Sequence, residues 1–342
     1  MADLIERAQS VADQVLFPAA QDVDRGLSRP DAGLRALADA DLFGIAGPAG
    51  SGVELDASEA RRVIAAVASG CGATFFVWVQ HHGVMRTLRT SSNSQLAEQV
   101  LGPMCAGDVI AGVAFAHLRR PGPPAIRARP TDDGGWQLDG HAPWATSWGI
   151  ADWFCVAAAS DRGEIVWVKV PGSTSPGFVA APLALPVFAH TGTVAFTFDG
   201  YRVEPTDVIS VADLASWRQA DRRQAAIGQP AVLGVAARAI ALLGERSDAE
   251  SVDAARRLGD ELALRWQRDD ELVVARESVE VMSGHRAACL DLARRSTTAL
   301  LASVGGAGMD LSHPAQRLCR EADFYVIQAQ TADGRSAVLR SI

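Results

Sequence analysis

Residues 143–153, PWATSWGIADW, gather Trp144, Trp148 and Trp153 around Thr146 in a chain of 342 residues with eight Trp in all. An aromatic wall beside a few fixed donors is what a flat, electron-poor ring needs in order to be held in one orientation. Trp144 and Trp153 suit the inward face of a twisted sheet equally well. Further along, Gly305, Gly306 and Gly308 permit close backbone approach and positive φ, which serves an extended ligand or a plain helix C-cap. The five cysteines, Cys71, Cys105, Cys155, Cys289 and Cys319, are odd in number and far apart. They suggest buried free thiols, with neither a disulfide framework nor a metal site.

Three runs of helical signal and strand signal must position these residues. Up to about residue 107 the pattern is helical: Pro30 and Asp31 open a helix, and ASEARRVIAAVAS (57–69) spaces Ala60, Val63, Ile64 and Val67 along one face. TFFVWVQHHGVMRTL (74–88) is apolar nearly all round up to its His pair and reads as a buried helix. Between 108 and 211 short β-branched and aromatic runs alternate with Gly, Pro and Asp. VIAGVAFA, GWQLDG, DWFCVAAA, EIVWVKV and GTVAFTFDGYRVEP are the expected strands of an antiparallel β domain. From 212 to 342 the helical period returns in a four-helix-type domain, with Pro230 expected to kink a long Ala/Leu/Val helix and GERSDAES (244–251) expected to break the chain between two helices.

Composition removes several function classes. With a net charge of −8 and no Lys/Arg run, nothing traces a phosphate backbone, so no nucleic-acid partner is expected. No uninterrupted apolar run reaches the roughly 18 residues of a membrane span, and Met-Ala-Asp-Leu-Ile-Glu-Arg lacks the layout of a signal peptide. No membrane association and a cytoplasmic location are expected.

Four segments in order resemble the acyl-CoA dehydrogenase family of flavoproteins: SQLAEQVLGPMCAGDVIAGVAFA (94–116), GWQLDGHAPWATSWGIADWFCVAA (135–158), FTFDGYRVEPTDVI (196–209) and VGGAGMDLSHPAQRLCREADFYVIQAQTADGRSAVLRSI (304–342). The resemblance implies an α+β multidomain fold of helical domain, β domain and helical bundle. It implies FAD, an acyl-CoA or acyl-carrier thioester as substrate, and a homo- or hetero-oligomer, dimer or tetramer. In the family the Trp-x-Thr element sits against the flavin, which places Trp144, Thr146 and Ser147 at the ring, with Thr146 near N5. Gly305, Gly306 and Gly308 match the loop that touches a neighbouring subunit's FAD, Thr331 matches a Thr near the flavin, and Arg223 matches an Arg near the thioester. Arg223 also reads as an exposed helix charge, and Trp148 stands where the family is usually small.

The departures concern the base. Removal of an α-proton while hydride leaves for the flavin requires a carboxylate held close to the substrate. The family's usual Glu, in Tyr-Glu-Gly-Thr, aligns with Ala329 of Gln328-Ala329-Gln330-Thr331, and the alternative position falls on Arg222. Asp221 is the nearest acid, turned about 100° away on a helix. FAHLRRPG (115–122) keeps little of the family's flavin- and acyl-contacting segment, and Arg246 is the only cation left of an element that reaches a partner's FAD. The primary expectation is therefore an acyl-CoA dehydrogenase-like oxidoreductase of acyl-thioester metabolism whose base is relocated or supplied by a partner subunit. The alternatives are a flavin-dependent monooxygenase of the same fold, with His117, His141 and His313 as acid/base candidates, and a non-catalytic subunit of a heteromeric dehydrogenase.

Overall fold

The computed structural model describes residues 2–48, 55–228, 230–275 and 277–342. Helix α1 (Ala2–Val11) passes through a π turn (Ala12–Leu16) into α2 (Phe17–Arg25), and α3 (Asp31–Asp39) follows from Pro30. Asp56 and Glu59 then cap each other's backbone amides, at 2.8 and 2.9 Å, and start α4 (Ala57–Gly70). Helix α5 (Gly72–Arg89) buries Phe75, Phe76, Val77 and Trp78, and α6 (Ser94–Ala106) closes the helical third. The His pair of α5 is structural. His81 accepts from the Ala111 amide at 3.2 Å through Nδ1, so its Nε2–H donates to the Met104 carbonyl at 3.1 Å, joining α5 to α6 and to the sheet.

Eight strands form one sheet: β1 (Ala111–Ala114), β2 (Ile126–Pro130), β3 (Trp136–Ala145), β4 (Trp153–Ser160), β5 (Glu164–Pro171), β6 (Phe178–Pro182), β7 (Val194–Val203) and β8 (Val208–Asp213). Their order is β6-β7-β3-β2-β4-β5-β8, with β1 beside β4. The expected antiparallel sheet is in fact mixed, because β1 and β2 both run parallel to β4. Parallel neighbours need a long crossover, and the β2–β3 hairpin lying between β1 and β4 in the chain supplies it. Strand β4 is buried on both faces. Trp153, Cys155, Ala157 and Ala159 pack with Val84, Met85, Leu88 and Met104 of α5 and α6, while Phe154, Val156 and Ala158 face an aromatic interior.

The C-terminal helices are α7 (Leu214–Ile227), α8 (Ala231–Gly244), α9 (Ala249–Ala275), α10 (Val279–Val304), α11 (Pro314–Ile327) and α12 (Ala332–Ser341). The expected kink at Pro230 is a full break: α7 stops at Ile227 and Pro230, which has no amide hydrogen to donate, is the N-cap of α8. Leu214–Gly244 is long and apolar enough to cross a membrane by composition. Here it is divided between two helices, and Val232, Leu233, Val235 and Ala236 of α8 join the core shared with α4 and α10. All five cysteines are free; Cys71, Cys155 and Cys289 are buried, while Cys105 and Cys319 are partly exposed.

Candidate functional site

The end of β3 is shaped by a bulge. Ala142 pairs with Phe196 and Ala145 with Val194, so three steps on β3 oppose two on β7. The extra residue lies at Pro143-Trp144, where a Pro would otherwise interrupt the ladder. Ala142 and Ala145 consequently both face the aromatic interior. Trp144 turns to the other side, half-buried, with its ring 6.3 Å from that of Phe324 on α11. The bulge thus aims Trp144 at the junction between the sheet and the C-terminal helices.

Trp148 goes the opposite way. Its ring lies 5.9 Å from Phe154, 5.9 Å from Phe178 and 5.6 Å from Phe196, so the residue with no family counterpart fills the sheet interior. Its carbonyl comes so close to Gly192 that a Cβ there would meet it at 2.1 Å, and Gly192 sits at φ 61°. Only glycine fits at that crossing. Trp153 packs on the α5–α6 side of β4.

Thr146 is 1% exposed, and its Oγ1 lies 3.2 Å from Thr193 Oγ1. Thr193 Oγ1 is 2.8 Å from Thr191 Oγ1, which donates to the Phe188 carbonyl at 2.8 Å. Ser147 has φ 86°, its amide donates to the Thr191 carbonyl at 2.8 Å, and its buried Oγ has no partner. Ser147 is thus a non-glycine residue held at positive φ with a buried hydroxyl that has no protein partner. The half-buried indole of Trp144 beside these hydroxyls fits a flat ring with a polar edge.

Across the junction, Ala329 has φ 51° and a methyl side chain that accepts no proton. Its carbonyl takes a 3.1 Å bond from Arg286 Nη1, which also donates to the Ala225 carbonyl at 3.0 Å, while Nη2 donates to the Gln328 carbonyl. Arg286 is 6% exposed, and burial lowers its guanidinium to about 10, with Arg119 adding to the shift. It remains a cation at neutral pH, set against the carbonyl ends of α7 and α11 where the helix dipoles are negative.

Two carboxylates, on α7 and α12, are engaged. Asp221 accepts two 2.7 Å bonds from Arg119, both side chains being largely buried. Asp333 accepts 2.6 and 2.8 Å bonds from Arg222, an arrangement that holds the Asp333 carboxyl below its ordinary range. Sequence reading did not find Arg119, Arg286, Asp333, Thr191 or Thr193, because their partners are far away in the chain and nothing local marks them.

The other candidates lie apart. Thr331 caps α12 by accepting from the Gly334 amide at 3.2 Å, and Arg223 is exposed on α7. Gly305, at φ 69°, caps α10; Gly306 is exposed and Gly308 is buried in the following 3-10 turn, where Arg246 donates to the Ser303 carbonyl nearby at 3.3 Å. His117 is buried, its Nε2 3.0 Å from the Ala157 carbonyl, and burial pushes it down to about 4. His141 is exposed, with Nδ1 3.2 Å from the Thr197 hydroxyl. His313 caps α11 by accepting the Ala315 amide at 3.1 Å.

Residues 2–108 match the model of the acyl-CoA dehydrogenase N-terminal domain. No curated protein matches the chain. Among solved structures, butyryl-CoA dehydrogenase from Megasphaera elsdenii is 16% identical with a TM-score of 0.79, covering 99% of this chain and 96% of that one. KijD3 in complex with FMN and a dTDP-linked amino sugar is 21% identical with a TM-score of 0.76, covering 99% and 92%. A dibenzothiophene monooxygenase from Paenibacillus sp. A11-2 is 15% identical with a TM-score of 0.80, covering 98% and 96%. At these identities the likeness is one of fold, and the fold is shared by proteins of different chemistry.

Proposed function

We propose, from the match of residues 2–108 to the acyl-CoA dehydrogenase N-terminal domain and from the fold shared with acyl-CoA dehydrogenases, that this chain is a flavin-dependent oxidoreductase that inserts oxygen rather than desaturating an acyl thioester. FAD is the flavin in this reading. Trp144, Thr146 and Ser147 hold one side of its ring. The flavin supplies two-electron chemistry; this chain's residues orient it and exclude water.

One observation carries the choice of reaction: among the described residues, neither of the two positions aligned with the family's base carries a carboxylate, and the acids nearest to them are not free. Ala329 is a methyl group, Arg222 is a cation, and Asp221 and Asp333 are each held by two guanidinium hydrogen bonds. A base must reach its proton within hydrogen-bond distance, and a carboxylate already pinned by Arg neither reorients nor gains basicity. Oxygen insertion needs no such base. Reduced flavin supplied by a separate NAD(P)H-dependent reductase would provide the two electrons with which dioxygen gives one atom to the substrate and the other to water.

A second reading is dehydrogenation with a base from another chain, a homo- or hetero-oligomeric partner. It is favoured by the match of residues 2–108 to a dehydrogenase domain and by Met309 and Leu311, 68% and 57% exposed beside the Gly306 turn. The two readings separate in one experiment. The protein is loaded with FAD and mixed anaerobically with butyryl-CoA and, separately, palmitoyl-CoA. Retention of the oxidised flavin absorbance supports the first reading; bleaching by this chain alone overturns it, and bleaching that appears only with a full-length family member present establishes the second.

A further inference from the structure

Among the described residues, four that are not glycine have positive φ: Asp41, Ser147, Phe188 and Ala329. The last three gather where the sheet meets the C-terminal helices. The Ser147 amide donates to the Thr191 carbonyl, Thr191 Oγ1 donates to the Phe188 carbonyl, and the Phe188 ring lies against Phe324 of α11, the helix that leads to Ala329. A bulky aromatic at φ 57° is the most strained of the three, and such strain persists only where the surroundings impose it. Phe188 belongs to a surface loop, 183–193, closed at its neck by the Leu183 amide on the Thr193 carbonyl at 3.2 Å. Ala184, Pro186, Ala189 and His190 of this loop are exposed, whereas Phe188 is 2% exposed. Its ring stacks on Phe76 of α5 at 5.5 Å and meets Phe324 edge-on at 4.7 Å. A Cβ on Gly72 would meet the Phe188 ring at 2.5 Å and the Glu321 carboxyl carbon at 2.7 Å, so ring and carboxyl lie side by side. Glu321 accepts from Arg317 and from the Gly72 amide through Oε1; its Oε2 and the Tyr325 hydroxyl are buried with no protein partner.

We propose that Phe188 is a plug in a seat for a flat aromatic ring bearing a hydrogen-bond donor, a phenol in chemical class, and that segment 184–190 swings outward to exchange the one for the other. The inference deepens the preceding reading by naming the class of molecule that receives oxygen, and it rests on that reading for the reaction but not for the binding. Phe76 and Phe324 offer one face and one edge, the arrangement that aromatic rings prefer. A phenol brings the O–H that Glu321 Oε2 lacks and an oxygen that accepts from Tyr325, neither of which Phe188 supplies. The segment lies at the surface, so its departure opens the seat to solvent without unpacking α5 or α11. Leaving releases the strain at Phe188 and breaks the bonds that hold the segment down, from Arg320 to the Pro186 carbonyl at 2.7 Å and from Thr191 to the Phe188 carbonyl at 2.8 Å. The neck stays in place, bound by the Ser147 and Trp148 amides to the Thr191 and Gly192 carbonyls at 2.8 Å.

The test measures dissociation constants of phenol and of toluene by ligand-detected NMR for wild type, Phe188→Gly and Phe154→Ala. Glycine takes positive φ without strain and empties the seat. Phe188→Gly is expected to bind phenol about tenfold more tightly than wild type does, and about tenfold more tightly than it binds toluene, the scale of one buried hydrogen bond. Phe154→Ala opens an apolar cavity in the sheet interior and takes toluene in preference. In wild type, saturation with phenol speeds hydrogen exchange of the Thr191 amide, which donates to the Phe188 carbonyl at 3.1 Å, and leaves the Ser147 amide unchanged. No gain in phenol binding by Phe188→Gly, a preference for toluene there, or unchanged Thr191 exchange in wild type overturns the inference; the wild-type measurement decides alone where Phe188→Gly does not fold. FAD binding by wild type is read separately, and its absence overturns the flavin reading while the seat stands.

Discussion

Trp144 and Trp148 are four residues apart and do opposite work: Trp144 lies at the Ala142–Ala145 bulge of β3, whereas Trp148 lies past the end of that strand. Trp148 is walled by Phe154, Phe178 and Phe196 at 5.6 to 5.9 Å. Its truncation leaves a cavity in a rigid aromatic cluster, so Trp148→Ala is expected to lower unfolding free energy by about 3 kcal/mol, read from urea denaturation. Trp144→Ala, at a half-buried position, is expected to cost about 1 kcal/mol in the same assay while weakening FAD binding more than tenfold. If the two substitutions exchanged these effects, the assignment of ring contact to Trp144 would fail. Both tryptophans were visible in the sequence, and resemblance assigned them different roles. Resemblance could not say what Trp148 does, because the three rings that hold it come from β4, β6 and β7.

At the scale of elements, Arg286 is one side chain that caps two helices. Its bonds to the Ala225, Gln328 and Ala329 carbonyls tie α7 and the α11–α12 turn to α10. Arg286→Met keeps the stem and loses all three bonds, leaving buried carbonyls without donors, at a cost of about 2–4 kcal/mol. Arg286→Lys is expected to recover part of it. Hydrogen exchange of the flavin-free protein localises the effect: amides in 222–228 and 325–335 exchange faster in Arg286→Met, while those of β4 and β5 are unchanged. Uniform acceleration across the chain would refute the local role. The helices themselves were legible from their apolar period and from Pro30 and Pro230. The strands β2, β6 and β8 were not, since IRARP, FVAAP and VISVAD are short and gain their regularity only by pairing with β3, β7 and β5.

The whole molecule is joined by buried neutral histidines, and this sets its acid stability. His81 lies between α5, α6 and β1, and His117 between the segment after β1 and β4; burial lowers both to about 4. A His with a folded value below its unfolded 6.5 binds more protons unfolded, so its stabilisation is full above about pH 6.5 and is lost as pH falls toward 4. Each site therefore withdraws about 3 kcal/mol over that window. The Glu321 carboxyl, raised by burial, offsets part of this. Thermal unfolding is expected to show Tm falling steeply between pH 6.5 and 4, and His81→Gln to flatten the slope; a Tm independent of pH over this range would contradict the buried neutral state. The sequence by itself determined the order of helices, sheet and helices and the family likeness, because periodicity and residue identity are local properties. The tertiary structure alone decided that Asp221 and Asp333 are bound by Arg119 and Arg222, that Arg286 spans two helix ends, and that Thr146 meets Thr193. Those facts depend on partners 42 to 111 residues away, and no spacing within the chain encodes them.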